Sequence, residues 1–219
     1  MSDSSALRTP RHAAEHQGTA GKPVVTIFEY YGAGATQVGR QVADALGVPF
    51  HPQAFSSEDI EGGPEAALKN SATLATVFAA MGGAYGGFEG RDVIATQQQK
   101  RDLVTDNNKA VWASADDGGV IVGRNATVIL AERPATLHVL LTGATGDRVA
   151  RAAEEAGIDA ARATQRQKRE DEVRADMSKV LYGWDPRLPD RYDIVINTSR
   201  IPLEAAAAAI VNAVRATIQ

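Results

Sequence analysis

The stretch PVVTIFEYYGAGATQVGR, residues 23–40, restricts the fold more than any other part of the chain. Val24, Val25, Thr26, Ile27 and Phe28 form a continuous β-branched and aromatic run, which suits a strand buried on both faces. Glycines follow at once. Then Val38, Val42, Ala45 and Leu46 recur at helical spacing, with Gly47 placed to cap the helix end. Strand, glycine turn, helix is the setting of a phosphate-binding loop. Gly34 and Gly39 have the G-x-x-x-x-G spacing of such a loop, but Arg40 stands where Lys is usual and Gln41 where a hydroxyl is usual.

Three more strands read in the same way: Val120–Val122, Leu137–Leu141 and Ile194–Ile196, each followed by a helical pattern. Strands alternating with helices predict an α/β fold of the P-loop NTPase type, a parallel sheet with helices on both faces. Ligands of such sheets lie at the carboxyl ends of the strands. Between the first two strands, EAALKNSATLATVFAAM and VIATQQQKRDLVTDNNKAVWASA read as helices, separated by a glycine-rich loop at Gly82–Gly90 expected to be mobile. Residues 160–191 concentrate Arg162, Arg166, Lys168, Arg169, Arg174, Lys179, Arg187 and Arg191 just before the last strand. A solvated helical face or a lid that gathers arginines round a phosphate are both compatible with that pattern; its position before the last strand favours the lid.

Composition excludes several classes. The chain has 219 residues, 44% of them hydrophobic, enough for one large α/β domain. A net charge of −4 argues against a general nucleic-acid binder. Cysteine is absent, so disulfides and thiol chemistry are excluded, and a cytoplasmic setting is compatible. No run of about 18 apolar residues predicts a membrane span. Residues 1–22 have no apolar signal-peptide core and read as a solvated tail.

In order and spacing, YGAGATQVGRQVADALGVPF, GGVIVGRNATVILAERPATLHVLLTGATGDRVAR, KREDEVRADMSKVLYGW and YDIVINTSRIPLEAAAAAI resemble the cytidylate kinase-like family of P-loop nucleoside-monophosphate kinases. The resemblance implies a core from residue 23 to 219, an acceptor-binding insertion at about 51–115 and a lid at about 160–191. It also implies ATP and a nucleoside monophosphate, CMP or dCMP, as substrates, with Mg²⁺ held mainly by phosphates and water because no metal ligand stands out. A homo-oligomer is compatible with this reading.

Within that frame, Gly32, Gly34, Ala35, Thr36, Gln37, Val38, Gly39, Arg40 and Gln41 would form the triphosphate loop, and Arg40 would replace the lysine. Arg124 and Asn125 would bind the acceptor. Arg166, Arg169 and Arg174 would stabilise the transferring phosphoryl group, with Asp171 orienting one of them. The chain departs from the family pattern, which ahead of the loop resembles S-R-E-Y-G, at Phe28-Glu29-Tyr30-Tyr31-Gly32, and again at Val122 and Asn125, where cytidylate kinases carry Asp. These departures leave two alternatives: a nucleotide-binding sensor or partner-binding protein without catalysis, and a kinase of another small molecule.

Overall fold

The computed structural model describes residues 21–82 and 93–218. Residues 1–20 of the expected tail and 83–90 of the expected glycine loop lie outside the described residues.

Among the described residues, five strands form one parallel sheet: β1 (Val24–Glu29), β2 (Phe50–His51), β3 (Gly119–Val122), β4 (Thr136–Thr142) and β5 (Ile194–Asn197), in the order β2-β3-β1-β4-β5. β1 is central because its backbone pairs on both sides, Val25 with Val120 and with Leu137. Alternate residues divide between two cores. Val25 and Ile27 point to α1 (Ala35–Leu46) and α8 (Leu203–Thr217), joining Val38, Val42, Ile210 and Val214. Val24 and Ile121 point to the other face, against Val111 and Ala115 of α4 (Val93–Ala115) and Ala126 of the short α5 (Ala126–Ile129). The predicted three-layer sandwich is therefore present.

A third core sits apart from the sheet. It joins Ile60 of α2 (Ser57–Asn70), Leu74, Val77 and Phe78 of α3 (Ala72–Met81), and Val173 and Met177 of α7 (Ala160–Tyr182). The expected single helix before Met81 is two helices. The Ser71 side chain accepts from Leu74 N–H and starts α3 afresh, and Gly63 with Pro64 kinks α2. The remaining helix, α6 (Thr145–Ala156), packs on α7.

Candidate functional site

The turn after β1 is built from inside. Gly34, at φ 91°, is the left-handed N-cap of α1, and Leu203 presses against it, so a Cβ there would meet the leucine at 2.8 Å. Gly32, at φ 78°, lies on the Arg148 carbonyl with no room for a Cβ. The turn's N–H groups are met by carboxylates: Tyr31 N–H donates to Asp171 Oδ1 at 2.7 Å, and Ala35 N–H to Glu29 Oε2 at 2.9 Å. Its carbonyls are met by arginines of α6. Arg148 Nη1 donates to Tyr31 O at 2.8 Å and to Asp171 Oδ2 at 3.1 Å, and Arg151 Nη1 donates to Gly32 O at 2.6 Å. Burial pushes the Glu29 carboxyl up to about 7, against the Ala35 hydrogen bond and Arg174, with Glu155 and Glu170 adding to the rise.

A cavity of about 700 Å³ opens between the helices α3, α4 and α7, residues 53–55 and the ends of β1 and β3. Its walls include Phe28, Gln53, Asn107, Arg124, Arg174 and Tyr182. Three successive left-handed residues, Gly123 at φ 69°, Arg124 at 56° and Asn125 at 55°, turn the chain at the end of β3. Two of these are not glycine, and such strain concentrates at functional sites. The turn is held by Asn107 Nδ2 donating to Arg124 O at 2.8 Å and by Trp184 Nε1 donating to Asn125 Oδ1 at 3.0 Å. Arg124 Nε donates to Pro52 O at 3.0 Å, and Arg174 Nη1 to Gln53 Oε1 at 2.7 Å.

The structure gathers Gly32, Gly34, Ala35, Arg124, Asn125, Asp171 and Arg174 around the turn and the cavity. It moves others away. Because α1 begins at Ala35, Thr36, Gln37, Val38, Gly39, Arg40 and Gln41 all lie within the helix. Gly39 serves packing, since a Cβ there would meet the Phe50 ring at 2.7 Å. Arg40 is exposed in the second turn, not the first, with its guanidinium 4.9 Å from the centre of that ring. Arg166, only 2% exposed, donates to Glu61 at 2.6 Å and to Glu58 at 3.0 Å. Arg169 Nε donates to Ile60 O at 3.4 Å, and its guanidinium lies against Gly63. Arg169 thus reaches α2, while Arg166 bridges Glu58 and Glu61 of α2 to the Tyr31 side chain of the turn. Glu29, Arg148 and Arg151 were the residues the motif reading passed over. Their one signal is position: Glu29 ends β1, and both arginines follow the β4 turn.

Among the described residues no group of three or more His, Cys, Asp or Glu side chains converges. The carboxylates nearest the turn, Glu29 and Asp171, are spent on its N–H groups. Also among the described residues, no helix is long and apolar enough to cross a membrane.

The model of the cytidylate kinase-like family matches residues 24–200. A stretch of 102 residues is 32% identical to a curated protein of Corynebacterium glutamicum named uronate isomerase; it covers 47% of this chain and 20% of that protein. The chain thus spans about a fifth of the length of the curated relative it matches. A crystal structure of an uncharacterized protein from Eubacterium ventriosum superposes with a TM-score of 0.62 at 19% identity, covering 89% of this chain and 99% of that one. At that identity the likeness is one of fold.

Proposed function

The chain belongs to the cytidylate kinase-like family, and from that premise we propose that it transfers the terminal phosphate of ATP to a nucleoside monophosphate, CMP or dCMP. The observation that carries this reading is the cavity at the ends of β1 and β3, lined by Arg124 and Arg174 and bounded by Asn107, Tyr182 and Phe28. Two guanidiniums fit a phosphate monoester, the rest of the cavity accommodates a nucleoside, and the turn after β1 is where we assign the phosphates of a second nucleotide. In the reaction an oxygen of the acceptor phosphate bonds to the γ-phosphorus of ATP, the bond to the β–γ bridging oxygen breaks, and ADP leaves. The residues available are positioning and electrostatic ones, which is what this chemistry uses.

One observation favours a second reading, a nucleotide-binding protein that does not turn over. The first turn of α1 has neither Lys nor Arg, and the carboxylates of Glu29 and Asp171 already hold two of the turn's N–H groups. Calorimetry with CMP, dCMP, UMP and AMP, followed by coupled turnover with ATP, separates the two. CMP or dCMP binding with ADP release is the expected result, and Arg124→Ala should weaken that binding by about 30-fold or more, as for loss of a charge-assisted pair. Binding without turnover in the presence of Mg²⁺ selects the second reading. Absence of binding by all four overturns both.

A further inference from the structure

Glu170 lies in α7 and is fully buried. One carboxylate oxygen accepts from Arg174 Nε at 2.5 Å, and the other has no hydrogen-bond partner. A buried carboxylate with an unpartnered oxygen costs stability, and buried polar atoms are nearly always satisfied. Packing alone would favour an apolar residue here. The arginine it holds is gripped again: Nη1 donates to Gln53 Oε1 at 2.7 Å. Gln53 in turn is seated on Gly123, where a Cβ would come within 2.4 Å of that oxygen. With Nε and Nη1 both engaged, the guanidinium plane is fixed, and Nη2 makes no hydrogen bond among the described residues. The neighbouring residue, Pro52, accepts from Arg124 Nε at 3.0 Å. One two-residue segment therefore anchors both cavity arginines.

We propose that Glu170 and Gln53 are positioning residues that fix Arg174 so that its remaining N–H groups, together with those of Arg124, meet a phosphate monoester in the cavity. This rests on the reading of the cavity as a monophosphate site. Rigid guanidiniums lose little freedom on binding, which raises affinity without adding a contact. The roles also predict how the variants combine. A residue acting only through Arg174 has nothing to act on once Arg174 is gone.

Calorimetric titration of the full chain with inorganic phosphate, CMP and cytidine tests this, with circular dichroism on each variant to check the fold. Glu170→Ala should weaken phosphate and CMP about ten-fold while leaving cytidine unchanged. Glu170→Gln, which can still accept from Nε, should recover most of the loss. Gln53→Ala, half-exposed and harmless to the core, should weaken phosphate a few-fold. In the Arg174→Ala background, Glu170→Ala should cause no further loss. Equal losses for cytidine, or additive losses in the double variant, overturn the positioning role, and so does a Gln53→Ala protein that binds phosphate as the parent does while Glu170→Ala unfolds. A parent that binds phosphate but not CMP overturns the nucleotide reading alone. A parent that binds neither overturns both.

Discussion

Glu29 stands between two opposing fields. The N-terminus of α1 favours a negative charge, and Ala35 N–H donates to one carboxylate oxygen at 2.9 Å. Burial opposes that charge more strongly, with Glu155 and Glu170 on the same side and Arg174 against them, so the carboxyl is pushed up from 4.5 to about 7. The sign follows from linkage. The folded state holds this proton more tightly than the unfolded chain, so its stabilising contribution is complete below pH 4.5 and is lost as pH rises to about 7. The side chain keeps partial solvent contact, so the loss is on the order of 2 kcal/mol. Urea unfolding of the parent and Glu29→Gln at pH 5 and pH 8 measures it: the parent should lose that much relative to the variant at the higher pH. A pH-independent difference between the two proteins would mean that Glu29 does not titrate in this range. The same ionisation sets a carboxylate beside any phosphate in the turn.

At the scale of the element, α7 shows what a sequence can and cannot disclose. Its helical register and its place before the last strand are legible, because both are local. Its partners are not, because they lie about a hundred residues away. Three of its arginines pair with carboxylates, Arg162 and Arg166 with Glu61 and Arg174 with Glu170, and Asp171 of the same helix pairs with Arg148 of α6. Val173 and Met177 then bury against α2 and α3. The arginines hold this helix down where free ones would have let it open. Neighbouring Arg162 and Arg166 also hold the Glu61 carboxyl down at about 2, so the cluster persists through all but strongly acid conditions. Glu61→Gln leaves the buried Arg166 with Glu58, itself largely exposed, as its remaining carboxylate, and should cost roughly 2 kcal/mol in chemical denaturation. A variant as stable as the parent would show that the ion cluster does not hold α7 to α2. The strands were readable because buried parallel strands are written as unbroken apolar runs. β2 was missed because two residues carry no periodicity. The start of α1 is not legible because glycine spacing does not reveal where a helix begins; the left-handed Gly34 sets that point, five residues before Gly39.

Across the whole molecule, the sheet with its two covering layers and the helical core of α2, α3 and α7 meet at the cavity. The sheet contributes Phe28 and, at its edge, Arg124; the helical body contributes Arg174, Val77 and Met177. A ligand there touches both bodies at once, so it binds only when they are correctly apposed. Anything that binds the folded state alone stabilises it by mass action, about 2.7 kcal/mol at a hundred-fold excess over Kd. For a chain of 219 residues that corresponds to a rise in Tm of roughly 5–10 °C. CMP at such an excess should therefore raise the Tm, and Arg124→Ala, weakened about 30-fold, should keep only about a third of the rise at the same concentration, since its guanidinium belongs to the sheet side of the contact. The more informative reading is where hydrogen exchange slows. A ligand bridging the two bodies should slow exchange both at the end of β3 and in α7 around Arg174. Slowing at β3 alone would mean that the ligand sits on the sheet without engaging the helical body, and the cavity would then not be the monophosphate site.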